Sequence, residues 1–127
     1  MKNKGKETRS GEERRRTVRK DVLETFHMFL VIPQVGLRKI YLKDVSEGGL
    51  GFYAEPTDSF SSGQVVECFF YINPTLRFPL SFKILHVLPE GENVRLGCEF
   101  VDTGTKSYKV FVKFLHLLDE LAEFVAT

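Results

Sequence analysis

The hydrophobic period changes once along this chain, and that change limits the fold more than any other feature. From Thr25 to Val101 apolar residues recur at every second position in short runs. Phe26, Met28, Leu30 and Ile32 share one parity, while Phe29 and Val31 make the other parity apolar too. That first run reads as a strand covered on both faces. Ile40, Leu42 and Asp44 alternate with Lys39, Tyr41 and Lys43, the pattern of a half-buried strand. Further runs cover 50–54, 64–72, 80–88 and 94–101, with Pro79 marking a strand start or an edge. Turn chemistry separates them: Pro33 to Gly36, Ser61-Ser62-Gly63, Asn73-Pro74, and the hairpin sequence Glu90-Gly91-Glu92-Asn93. After Thr105 the repeat becomes three and four: Tyr108, Phe111, Phe114 or Leu115, Leu118, Leu121 or Ala122, and Val125. This is an amphipathic helix, with Lys106, Lys109, Lys113, Asp119, Glu120 and Glu123 on its other faces and Thr105 or Ser107 as its cap. Evenly spaced short strands followed by one helix predict an all-β fold. The expected form is a roughly six-stranded antiparallel barrel with a C-terminal α-helix, because closure removes exposed edges.

Charge divides the chain differently. Residues 1–20 hold nine Lys or Arg and three Glu, a balance of +6, whereas the rest holds nine basic and fourteen acidic side chains, or −5. Residues 1–13 contain almost no apolar side chain to offset the entropy of ordering them. We therefore expect a mobile basic arm over 1–13 and one domain over 14–127, with the barrel at about 22–102 and the helix at about 106–125. A basic arm on an acidic body points to an anionic partner. No apolar run reaches the roughly 18 residues of a membrane span, and no apolar stretch follows the basic N-terminus at signal-peptide distance. The expected location is cytoplasmic. Cys68 and Cys98 lie in strand-like runs without CxxC spacing, so they read as reduced core thiols and give no metal site.

Catalytic constellations are absent from the sequence. His27, His86 and His116 each sit in an apolar periodic segment and read as packed or half-exposed side chains. There is no HExxH, GxSxG or phosphate-loop pattern, and no pair of carboxylates stands out. The chain reads as a non-enzyme with no cofactor. Two local patterns do rise above this background. One is Arg14-Arg15-Arg16-Thr17-Val18-Arg19-Lys20 at the junction of arm and body. The other is Asp44-Val45-Ser46-Glu47-Gly48-Gly49 between two strands. Taken alone, the first is a solvated basic run. The second alone is a turn in which Asp and Ser bond their own backbone and Gly supplies positive φ.

In this order the two patterns resemble the PilZ domain family. Arg15 and Arg19 match its RxxxR motif, and Asp44, Ser46 and Gly49 match its DxSxxG motif. Leu96-Gly97-Cys98-Glu99-Phe100 is similar to a late strand of that family. The resemblance runs from Arg14 to about Val125 and implies a receptor for cyclic di-GMP. The residue types suit that ligand. Arginine forks match the O6 and N7 acceptors of guanine, lie against purine faces and bond phosphates. Asp44 accepts from the guanine N1–H and N2–H, Ser46 adds a short polar group, and Gly48 and Gly49 let a flat ring approach the backbone. A basic residue at Arg14 implies, by the same resemblance, two stacked ligand molecules per domain. Ligand binding is expected to order the arm against the barrel, so that a downstream protein partner reads the new surface. The terminal helix serves either as a lid on the barrel or as a homodimer or partner face. Two other readings compete: a small nucleic-acid-binding barrel with a basic arm, which leaves Asp44 unexplained, and a ligand-blind module that makes only protein contacts.

Overall fold

The computed structural model describes residues 23–24 and 27–125. Six strands form one antiparallel sheet: β1 (Phe29–Val31), β2 (Leu42–Val45), β3 (Gly49–Ala54), β4 (Val65–Asn73), β5 (Leu76–Glu90) and β6 (Asn93–Val101). Their spatial order is β1-β4-β5-β6-β3-β2. The sheet curls until its two edges meet. Leu30 in β1 and Ile40, just before β2, exchange backbone hydrogen bonds of 2.8 and 2.9 Å. A single bridge thus joins the edges and explains why β1 is buried on both faces.

Alternation places the core. In β4, Val66, Cys68 and Phe70 are buried while Val65 and Glu67 are exposed. In β6, Leu96, Cys98 and Phe100 point inward. Phe52 and Phe82 meet edge to face across the barrel, their ring centroids 5.8 Å apart. Both cysteines are free and buried, and burial pushes each thiol up to about 12.

The helix α1 (Lys106–Val125) closes one end of the barrel. Thr105 caps it: the Tyr108 N–H donates to Thr105 Oγ1 at 3.1 Å, the N-cap geometry. Phe111, Leu115 and Leu118 are buried in the core. Phe111 is the joint, with its ring 5.1 Å from Phe70, 5.3 Å from Phe100 and 5.8 Å from Phe78. The predicted lid is therefore present. Among the described residues no helix is long and apolar enough to cross a membrane.

The start of β5 differs from the sequence expectation. The strand expected to begin at 80 begins at Leu76, because Asn73 Oδ1 accepts from the N–H groups of Thr75 and Leu76 and turns the chain at once. Pro79 then lies inside β5, opposite Phe69. It is tolerated because β6 pairs with β5 only from Ser81 onward, so β5 has a neighbour on one side there. The hairpin at Gly91 is as expected, with φ of 63° at the first turn position.

Candidate functional site

β2 and β3 form a tight hairpin with Glu47 and Gly48 at its tip. The Ser46 N–H donates to the Gly49 carbonyl at 2.8 Å, and the Phe100 N–H holds the tip to β6 through the Gly48 carbonyl at 2.9 Å. Gly49 has no positive φ, unlike Gly36, Gly63 and Gly91. Its need for glycine comes from packing instead. A Cβ there would sit 1.9 Å from the Cys98 carbonyl oxygen on β6, whereas at Gly48 it would meet nothing closer than Ser46 Oγ at 4.0 Å.

Asp44 departs from its expected face. Simple alternation puts it with Ile40 and Leu42, both buried. The ladder shifts between Leu42 and Asp44, so that Lys43 and Asp44 together face Gly51. This β-bulge turns Asp44 outward while Val45 returns to the core at 1% exposure. A second bulge lies in the same row of the sheet. Between Ile84 and His86 the β5–β6 register slips, and Leu85 and His86 together face Gly97. Gly51 and Gly97 pair directly across β3 and β6. The row therefore reads Asp44, Gly51, Gly97, His86.

The two glycines form the floor of a groove of about 410 Å³, a volume typical of small-molecule sites. The bulged side chains lie over these glycines, in the space their Cβ atoms would take. A Cβ on Gly51 would lie 2.9 Å from Asp44 Oδ1, and one on Gly97 would lie 2.2 Å from His86 Nε2. Ser46, Gly48, Gly49 and Glu99, which pairs with Gly49, also line it, as does Arg95. The charges of its lining balance, two from Lys43 and Arg95 against two from Asp44 and Glu99, with Lys43 Nζ 4.0 Å from Asp44 Oδ2. Arg95 Nε lies 3.4 Å from Glu90 Oε1, too poorly aligned for a hydrogen bond, and is otherwise buried without a partner among the described residues. Tyr53 OH donates to Glu90 Oε2 at 2.8 Å, and that hydrogen bond to a carboxylate raises the phenol pKa.

The hairpin tip is also tied to the helix. Tyr108 OH donates to the Glu47 carbonyl at 2.6 Å, and His116 Nε2 lies 2.8 Å from Glu47 Oε1. A second cavity, of about 390 Å³ and lined by Glu67, Pro79, Ser81, Asp102 and Tyr108 among others, contains none of the motif residues. Among the described residues no cluster of three or more His, Cys, Asp or Glu is placed to hold a metal ion.

Of the residues predicted from sequence, Asp44, Ser46, Gly48 and Gly49 converge on one groove. Arg14, Arg15 and Arg19 lie outside the described residues. His86, Arg95 and Lys43 were not anticipated. Their signal was the pair of glycines inside strands, which marks a bulge or a close approach of another group.

The PilZ domain profile matches residues 13–117, most of the chain. The chain belongs to the PilZ family. Solved structures agree on the fold of this PilZ domain. The PilZ domain of YcgR from Escherichia coli with c-di-GMP is 15% identical, over 78% of this chain and 85% of that one, with a TM-score of 0.58. Longer YcgR from the same organism, in complex with c-di-GMP, gives 15% identity and a TM-score of 0.60 over 78% of this chain and 44% of that one. The inhibitor of motility MotI from Bacillus subtilis gives 11% identity and 0.55, over 69% of this chain and 44% of that one. The PilZ domain described here thus spans less than half the length of those two longer proteins. A search of curated proteins found no match.

Proposed function

We propose that this PilZ domain is a non-enzymatic cytoplasmic receptor that binds cyclic di-GMP in the Asp44–His86 groove. The observation that carries the reading is the outward turn of Asp44. The bulge lays its carboxylate over Gly51 on the outer face of the sheet, beside the His86 ring over Gly97, where a guanine edge in the groove can offer N1–H and N2–H to Asp44. Two other proteins with this fold, YcgR and MrkH of K. pneumonia (13% identical, TM-score 0.59), were solved with c-di-GMP.

Electrostatics assigns the remaining part to the arm. The ligand carries two phosphodiester charges, and the groove walls are neutral on balance. Arg95 supplies one fork. Arg15 and Arg19 supply the guanine Hoogsteen and phosphate contacts, and Arg14 holds a second stacked molecule. Each bidentate contact of this kind gives about 1–3 kcal/mol of discrimination. The ligand bridges arm and barrel, and the new arm position is what a partner protein reads. Glu47 gives the site a second output, because the hairpin tip and α1 share it through Tyr108 and His116.

Isothermal titration with cyclic di-GMP, with GTP and cyclic GMP as controls, tests this. Selective heat is expected, at two ligands per chain, and it is expected to vanish in Arg19→Ala and Asp44→Ala while their circular dichroism stays native. A stoichiometry of one removes the role of Arg14. Binding of single-stranded nucleic acid with a steep salt dependence, and none of the dinucleotide, replaces the proposal with the nucleic-acid reading.

A further inference from the structure

The helix α1 carries two apolar stripes where a lid needs one. Phe111, Leu115 and Leu118 face the barrel and are buried. Val110, Leu117 and Leu121 lie about a quarter turn away and are 39%, 49% and 38% exposed. With Phe114, half-buried against Phe70 and Phe78, they repeat at intervals of four, three and four. That is the a/d spacing of a helix that packs against another helix over its length. The side of α1 bound to the hairpin tip, Tyr108 and His116, lies elsewhere on its circumference, so the stripe does not serve the groove.

Charge along the helix says which partner fits. Lys106, Lys109 and Lys113 occupy its N-terminal half, and Asp119, Glu120 and Glu123 its C-terminal half. There is no acid in the first turn and no base in the last. This opposes the helix macrodipole, which favours acids at the N-terminus and bases at the C-terminus. An antiparallel copy of the same helix reverses both penalties. Its acidic half lies along the lysines, and the two macrodipoles are opposed. A parallel copy sets like charge against like.

We propose that α1 forms a two-fold homodimer by antiparallel packing of this stripe. Val110 of one copy meets Leu121 of the other, and Phe114 meets Leu117. That register sets Lys113 of each copy opposite Glu120 of its mate. The contact is isologous, so it closes at two chains.

Light scattering on the eluting full chain at micromolar concentration tests the proposal. Twice the chain mass is expected. Leu117→Glu is expected to return the mass to one chain with native circular dichroism, since Leu117 is half exposed and outside the barrel core. Lys113→Glu and Glu120→Lys are each expected to weaken the dimer about tenfold, because each turns two attractive pairs into repulsive ones. The double swap is expected to restore it. A monomer at all concentrations, or a dimer indifferent to Leu117→Glu, overturns the interface. Single swaps without effect overturn the antiparallel register.

Discussion

At the scale of single residues, neighbouring glycines with the same chemistry do different work. Gly49 is required by the fold, because the Cys98 carbonyl occupies the place of its Cβ. Gly48 has open space beside it and an ordinary φ. Gly49→Ala is therefore expected to cost roughly 1–3 kcal/mol, the range for forcing atoms into a packed site, and Gly48→Ala to fall within about 0.5 kcal/mol of the parent. Urea unfolding of the two variants checks the contrast. Equal losses would show that the hairpin does not approach β6 as described. The motif position Gly49 was legible in the sequence, but its physical reason was not. A glycine read as ligand access or turn geometry answers instead to a carbonyl on a strand almost fifty residues later.

At the scale of elements, the bulges and the cap decide how the pieces are aimed. A period-two reading places Asp44 in the core, and only the slip against Gly51 brings it out. Nothing on β2 itself announces a bulge at Lys43, since both registers suit its residues; the signal is Gly51 on the neighbouring strand. The helix was far more legible, because a period of three and four over twenty residues has few other solutions. Thr105→Ala removes the acceptor for the Tyr108 N–H and is expected to cost about 1 kcal/mol. It also frees the end of α1 that holds Glu47. Thermal unfolding checks the first effect. The second is checked by weaker cyclic di-GMP binding, since a loosened Tyr108 no longer restrains the hairpin tip.

At the scale of the whole molecule, the phenylalanine cluster makes barrel and helix one cooperative unit. Phe111 touches rings from β4, β5 and β6, so Phe111→Ala is expected to cost about 3–5 kcal/mol and to lower one transition instead of splitting it. Calorimetry reads both. The core also fixes how stability responds to pH. Burial raises Cys68 and Cys98 from 9.0 to about 12. The folded state thus keeps protons that the unfolded chain releases above pH 9. Their contribution is complete below the unfolded value and is lost as pH rises from about 9 to about 12. Denaturant midpoints are expected to fall across that window, and less steeply in Cys68→Ala, although that variant starts lower because of its cavity. Native thiols are expected to resist a thiol reagent at neutral pH.

The sequence by itself determined the strand count, the terminal helix, the core placement of Cys68 and Cys98, and the family motifs. These depend on periodicity and on residues close together in the chain, which local chemistry encodes. Only the tertiary structure decided the groove. Asp44, Gly51, Gly97 and His86 come from four strands and form one row only after the sheet has curled and slipped twice. The closure of β1 onto Ile40 and the tie from Glu47 to α1 are of the same kind. Contacts between distant segments are set by how the whole core packs, and no window of the sequence contains that sum.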